Sequence, residues 1–110
     1  MDLRRQKISE LIRQEMGNIL RQDFCDEAKS ITITNAIITG DLQFCRITYL
    51  ALGHRDFEEI AAKFFKKNHA KIKRELLKKI SIKYFPEIRF ELDRSIEKGN
   101  HVLQILDKIE

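Results

Sequence analysis

Apolar residues near the start of the chain recur at the spacing of a helix. From Leu3 to about Arg21 they fall three or four positions apart, which places them on one helical face. The pattern predicts a first helix that rests this face on a core. A polar link follows, and the period of the pattern then changes.

Two neighbouring segments alternate apolar and polar residues with a period of two. Residues 30–38, SITITNAII, are rich in β-branched side chains, and residues 43–52, QFCRITYLAL, alternate again. Gly40 and Asp41 between them are typical turn residues. The pattern therefore predicts an antiparallel hairpin.

Helical spacing returns after the hairpin. Apolar residues at this spacing run from Phe57 to Ile80, but the polar Asn68-His69-Ala70 interrupts them, and we predict a kink there between two helices. Residues 80–93 alternate and predict a third strand, with Pro86 at its leading edge, where a missing N–H does least harm.

The predicted order is α-β-β-α-(kink)-α-β-α. Residues 93–110 have the spacing of a last helix or helical tail. No repeat, linker or low-complexity segment divides the chain, so residues 1–110 are predicted as a single α+β domain. Its core would be a three-stranded sheet with helices packed on one face.

The composition excludes several classes of protein. The 110 residues, 43% of them hydrophobic, suffice for one modest core. No segment approaches the roughly 20 apolar residues of a membrane span, and the N-terminus lacks a signal pattern, so a cytoplasmic protein is predicted. Cys25 and Cys45 have neither disulfide-framework nor metal-ligand spacing, and both are expected to be small, partly buried residues.

Motifs for catalysis are also missing. His54, His69 and His101 do not stand at metal-ligand spacing from one another or from a cysteine. None of the serines lies in a nucleophile elbow, and the four glycines form no phosphate-binding loop. We therefore expect no enzyme, no cofactor and no metal site.

Basic residues are concentrated in one part of the chain. The whole chain has a formal net charge of +4, whereas residues 63–83 hold nine Lys or Arg and one acid, Glu75, a net charge of +8. Placed on a helix, five of the nine align in one row, because they are separated by steps of three or four. This row, the basic stripe, consists of Lys63, Lys67, Lys71, Arg74 and Lys78.

Three explanations for this charge compete. The first is a solvated helix face, although like charges four apart repel by roughly a few tenths of a kcal/mol per pair. The second is an interfacial membrane helix, but Phe64 and Phe65 are better used to cover the sheet. The third is a nucleic acid, whose phosphates Lys and Arg neutralise with release of counterions. We favour the third. Zinc-finger, helix-turn-helix and RNP-type aromatic patterns are all missing from the sequence, and a sheet with helices and a basic helical turn is compatible with structured RNA.

Several segments of the chain resemble one known protein family in their residues, order and spacing. PEIRFELDRS, residues 86–95, resembles the signature near the family's C-terminus. TITNAIITGDL, residues 32–42, is similar to its first strand and turn, and CRITYL, residues 45–50, to its second strand. The similarity extends from about residue 4 to residue 109, with similar order and spacing. The family that these segments resemble is ribosome-binding factor A, a family of bacterial small-subunit assembly factors.

The resemblance implies a KH-like fold of the type II arrangement. It also implies a non-catalytic factor that binds the small (30S) ribosomal subunit, assists late maturation and 5′-end processing of 16S rRNA, and supports growth in the cold. The expected state is a cytoplasmic monomer without a DNA or membrane partner. Two departures stand out: Asn68-His69-Ala70 replaces the family's Ala-x-Gly, and its Asp-Pro-Arg is missing around Asp26-Glu27-Ala28.

The basic stripe is the expected main phosphate contact, and His69 is expected to touch RNA at the kink. Pro86, Glu87 and Asp93 are assigned to structure, as a strand start and caps. The alternative function is a basic module that docks an acidic protein or an anionic lipid surface. The predicted RNA-binding set is completed by flanking residues Lys66, Lys73, Lys79 and Lys83, and by a second contact at Arg4, Arg5 and Lys7.

Overall fold

The structure, a computed structural model, describes residues 3–39, 43–82 and 84–95. β1 and β2 pair antiparallel, and β3 joins β2 in parallel, which gives the sheet order β1-β2-β3. The predicted α+β class and three-stranded sheet are confirmed. The elements are α1 (Leu3–Asp23), β1 (Ile31–Thr39), β2 (Phe44–Ala51), α2 (Phe57–Lys79) and β3 (Glu87–Leu92).

Both helices cover the same face of the sheet. α1 lies against β1, and α2 lies against β2 and β3. The parallel pairing of β2 and β3 requires a crossover connection, and α2 is that crossover, so its apolar side is held on the sheet. The largest fully buried side chains come from both helices, from β2 and from the end of α2: Ile12, Met16, Ile19, Cys45, Ile47, Ile72, Leu76 and Ile80.

β1 contains an irregularity that the alternation did not predict. Its register with β2 shifts between Ile33 and Asn35. An extra residue in one strand exchanges the two faces beyond it. As a result Ile38 is 4% exposed and packs in the core, whereas its neighbour Ile37 is 40% exposed.

The predicted division of the second helical segment is wrong. α2 is helical without interruption over 23 residues, including Asn68-His69-Ala70. The Asn68 side chain donates a hydrogen bond to the Phe64 carbonyl at 2.9 Å, one turn earlier in the same helix. The polar segment is therefore accommodated by side-chain hydrogen bonds, with no break in the helix.

The ends of β3 agree with the structural parts assigned to its neighbours. Pro86 is buried immediately before the strand, and the Glu87 N–H donates to the Gln43 carbonyl at 2.9 Å. After the strand, Asp93 Oδ1 accepts hydrogen bonds from the Ser95 N–H at 2.9 Å and the Ser95 hydroxyl at 2.7 Å. Hydrogen bonding from the Ser95 side chain, with further contributions from the Thr34 side chain and the Ser95 backbone, holds the pKa of Asp93 below its ordinary value.

The two cysteines differ in their surroundings. Cys45 is buried in β2, and burial raises the pKa of its thiol to about 11. Cys25 is exposed, so the expectation of partial burial is wrong for this residue. The predicted turn at Gly40 and Asp41 and the predicted helix beyond residue 95 lie outside the described residues.

Candidate nucleic-acid interface

The basic stripe lies on the outward face of α2, and all five of its side chains are exposed. The opposite face of the helix packs into the hydrophobic core. Because one face is held by packing, the orientation of the stripe is fixed relative to the sheet. The buried residues of α2 are Ala61, Phe64, Phe65, Ile72 and Leu76.

Acidic partners occur only near the two ends of the stripe. Lys63 Nζ lies 3.4 Å from a Glu59 carboxylate oxygen, and Lys78 Nζ lies 3.3 Å from Glu75. These pairs are exposed and contribute little stability. Among the described residues, no carboxylate lies within ion-pair distance of Lys67 or Arg74 in the middle. This central pair is therefore the part of the stripe most available to an anion.

Lys71, which lies between Lys67 and Arg74 in the stripe, contacts an aromatic ring. Its Nζ lies 5.0 Å from the centroid of the Phe24 ring, within cation–π distance. Phe24 is buried and packs edge-on against Phe64 at 5.0 Å. Lys71 thus covers the junction between α1 and α2 while its charge stays at the surface.

The flanking residues divide into two groups. Lys66 and Lys73 are seven positions apart, so they lie on the same side of α2, beside the stripe. Lys79 is the last residue of α2, where a positive charge stabilises the negative end of the helix dipole. A structural reason therefore suffices for Lys79. Lys83 lies outside the described residues.

The helix dipole does not explain the basic residues at the start of α1. Arg4 and Arg5 lie in its first turn, which contains no acidic residue, and Lys7 follows in the second turn. Positive charge at a helix N-terminus opposes the helix dipole, at a cost of typically about 0.3–1 kcal/mol. Arg4 and Lys7 are exposed, and Arg5 is half-buried. Their placement favours a role outside the helix itself.

His69 connects α2 to β3. Its Nε2 lies 2.8 Å from the carbonyl oxygen of Ile88, and because that oxygen can only accept, Nε2 must carry the proton. The ring also meets the edge of Phe90 at a centroid distance of 5.6 Å. The structure therefore gives His69 a positioning role, and direct contact with RNA stays a prediction.

The sequence did not reveal a cleft at the end of the sheet where β3 begins. This end cleft has a volume of about 930 Å³ and lies between the start of α1, the second half of α2 and the connection to β3. Arg4 and Lys73, from separate parts of the predicted set, both line it. Only the fold brings these two side chains together, because no spacing rule connects residues so far apart in sequence.

A second feature that was missed lies on the face of the sheet opposite α1 and α2. The Arg89 guanidinium stands 4.3 Å from the centroid of the Phe44 ring. On the same face, Arg46 Nη2 lies 2.9 Å from the Glu91 carboxylate. The parallel register between β2 and β3 creates both pairs. Alternation could assign these side chains to a face but not to partners across the sheet.

Neither a metal site nor a membrane-spanning helix is found in the described part of the chain. It contains no cluster of three or more His, Cys, Asp or Glu that could hold a metal ion. Neither described helix combines the length and apolar character needed to cross a membrane. The exposed basic residues are therefore the strongest functional signal in residues 3–39, 43–82 and 84–95.

Comparison with known proteins identifies the same family as the sequence resemblance. Residues 4–106 match the family model described as ribosome-binding factor A. Ribosome-binding factor A of Opitutus terrae is 31% identical over 110 residues, which cover 100% of this chain and 90% of that protein. The Prochlorococcus marinus protein of the same name is 34% identical over 108 residues, covering 96% and 83%.

A solved structure supports the fold. The crystal structure of ribosome-binding factor A from Thermus thermophilus has a TM-score of 0.69 to this chain, with 9% sequence identity. The match covers 80% of this chain and 94% of that one. At this identity the likeness concerns the fold alone, and the expected KH-like fold is confirmed.

Proposed function

This chain belongs to the ribosome-binding factor A family, and we propose that it is a non-catalytic assembly factor that binds the small (30S) ribosomal subunit. In this proposal it assists late maturation of 16S rRNA, including processing of the 5′ end. The observation that most supports this proposal is the basic stripe, which is exposed along α2. Among the described residues, Lys67 and Arg74 have no carboxylate partner. Membership of the family suggests the ribosome as the target, and the basic stripe is the proposed contact surface.

The geometry of the stripe suits an RNA backbone. A helix rises 1.5 Å per residue, so the row from Lys63 to Lys78 is about 22 Å long. A straight row of this length can meet several phosphates, and each neutralised phosphate releases counterions. Such contacts orient a protein on RNA without reading its sequence. Specificity for the small subunit would then come from the shape of the rRNA and of neighbouring proteins.

The lipid alternative is weakened by the packing of α2. An interfacial helix needs a continuous apolar face to enter the lipid. The aromatic residues Phe64 and Phe65 are buried in the core, at 7% and 3% exposure. Among the described residues of α2, only Ile60 and Leu77 are large, apolar and exposed, and they do not form a continuous face. Docking to an acidic protein remains the second candidate, because the stripe would attract any anionic surface.

The family resemblance also suggests the cellular setting. We propose a cytoplasmic monomer that works without a cofactor and has neither DNA nor a membrane as partner. Loss of the protein would slow growth in the cold by delaying maturation of the small subunit. A deletion strain that accumulates 16S rRNA with an unprocessed 5′ end would support this setting.

The test is co-sedimentation of the purified protein with isolated small subunits, large subunits and tRNA. The informative variant is Lys67→Glu/Arg74→Glu, which reverses the central charges of the stripe. Its matched control is Lys29→Glu/Arg55→Glu, which makes the same charge change at two exposed residues outside α2. We expect small-subunit binding to survive in the control and to be lost in the stripe variant.

Three outcomes would contradict parts of the proposal. Equal binding to all RNAs would leave a general polyanion binder. Equal loss in both variants would show that net charge matters and the position of the stripe does not. Absence of binding at low salt would favour the acidic-protein alternative. Salt dependence gives a further measure, because removing two phosphate contacts should reduce the log–log slope by about 2.

A further inference from the structure

The end cleft has the construction of a small binding site. Its inner wall is apolar and contains Ile8 and Ile38, which are 9% and 4% exposed, together with Ile82 and Phe85. Its volume of about 930 Å³ lies in the range of ligand pockets, which are mostly apolar with a few polar groups at defined positions. The hydrogen bond from His69 to the Ile88 carbonyl holds one wall against β3.

The charged residues of the cleft favour an anionic group. Arg4 from α1 and Lys73 from α2 contribute two positive charges, and Glu87 contributes one negative charge. No carboxylate lies within ion-pair distance of Arg4 or Lys73 in the described part of the chain. Arg4 also occupies the first turn of α1, where its charge opposes the helix dipole. A bound anion would compensate this cost.

An aromatic side chain completes the site. Tyr84 lines the cleft and is 76% exposed, the most exposed of the large hydrophobic and aromatic side chains among the described residues. Aromatic rings at such positions serve as stacking surfaces for unpaired bases. An apolar wall, a stacking ring and two cations together match the parts of a nucleotide: a flat base and a phosphate.

We propose that the end cleft binds one unpaired nucleotide of RNA. The base enters the apolar cleft and stacks on Tyr84, and its phosphate lies between Arg4 and Lys73. Bases paired in a duplex cannot enter, so the site selects single-stranded RNA. The inference rests on the proposed function and adds to it a preference that phosphate contacts along the stripe cannot supply.

The position of the cleft also predicts which RNA structure the protein binds. Lys73 belongs to the cleft and to the flank of the basic stripe, on the same helix. An RNA duplex bound along the stripe would therefore place its end near the cleft. The expected ligand is a junction between a duplex and a single strand.

The test compares two RNAs that share one duplex: a blunt hairpin and the same hairpin with a three-nucleotide overhang. Binding is measured by fluorescence anisotropy at constant salt. Stacking of one base on an aromatic ring corresponds to about tenfold or more in affinity, so the protein should prefer the overhang by that factor. Tyr84→Ala should remove the preference and keep the affinity for the blunt hairpin, while Tyr84→Phe should preserve both.

A second measurement locates the base. A 4-thiouridine at the first unpaired position should cross-link to the peptide that contains Tyr84, and Lys29→Ala, outside the cleft, should change neither result. Equal affinity of the protein for both RNAs, or a preference that survives Tyr84→Ala, would overturn the cleft proposal alone. Failure to bind either RNA, in a protein that also fails to bind small subunits, would overturn the proposed function and the cleft with it.

Discussion

The two faces of α2 differ in how completely their side chains are held by the rest of the protein. On the inner face, Phe65 stacks on Phe90 at a centroid distance of 4.3 Å and contacts Tyr49 at 4.6 Å. On the outer face, Lys67 and Arg74 have no carboxylate within ion-pair distance in the described chain. The residues of the inner face are explained by their contribution to stability, whereas the charges of the outer face are not. Substitutions on one helix should therefore separate folding from binding.

The largest expected effect comes from the centre of the inner face. Phe65→Ala removes a ring that is 3% exposed and leaves a cavity between α2 and the sheet. Truncations of this kind cost about 3–5 kcal/mol. Unfolding in urea should show this loss, while Ile60→Ala, at a residue 54% exposed on the same helix, should change stability by less than about 0.5 kcal/mol. Similar losses in the two variants would mean that α2 is not anchored by this face.

A smaller loss of stability is expected from a substitution at the border between the two faces. His69→Ala removes the hydrogen bond to the Ile88 carbonyl and the edge contact with Phe90. Leaving a part-buried carbonyl without its donor costs about 1–3 kcal/mol. If His69 only positions α2, the variant should lose stability yet bind small subunits normally at a temperature where it is folded. Reduced binding with unchanged stability would instead support the predicted contact with RNA.

The hydrogen bonds at Asp93 lie at the far end of β3, and their contribution to stability depends on pH. Asp93→Ala removes the acceptor for Ser95, a cap-like contact that contributes about 0.5–2 kcal/mol. Because hydrogen bonds lower the pKa of Asp93, its ionised form is favoured in the folded state. The contribution is complete above the ordinary pKa of 3.8 and is lost as pH falls through the lower folded value.

Unfolding of wild type and variant at neutral pH and in the acid range checks this pH dependence. The stability difference between the two proteins should shrink as the solution becomes more acidic. Asp93→Asn serves as the control, because an amide oxygen can accept the same hydrogen bonds without titrating. A difference that is constant with pH would show that the ionised carboxylate is not the source of the effect.

Local patterns predicted much of this molecule, and the misses have a common cause. The helical period identified the inner face of α2 around Phe65 and Ile72, and alternation identified three strands. The break expected at Asn68-His69-Ala70 was wrong. Asn68 is accommodated within α2 by the Phe64 carbonyl, but the partner of His69 is the Ile88 carbonyl, 19 residues along the chain, which local spacing does not reveal. A single-residue shift in β1 is likewise decided by pairing with β2.

The same cause explains what could be predicted of the candidate site. The basic stripe follows from spacing within one helix, so residue numbers alone define it. The end cleft needs Arg4, Lys73 and Tyr84 from three separate segments, which meet only after the sheet and helices have packed. A site on one element can be predicted from sequence, whereas a site between elements requires the fold.

The smallest expected effect on stability comes from the centre of the outer face. Lys67→Ala/Arg74→Ala removes two exposed charges without a carboxylate partner in the described chain and introduces a strong helix former. Relief of repulsion between like charges is worth roughly a few tenths of a kcal/mol per pair, so stability should stay unchanged or rise slightly. Binding to small subunits should weaken at the same time, with a shallower dependence on salt. A clear loss of stability would mean that these side chains serve the fold, and the separation between the two faces of α2 would then fail.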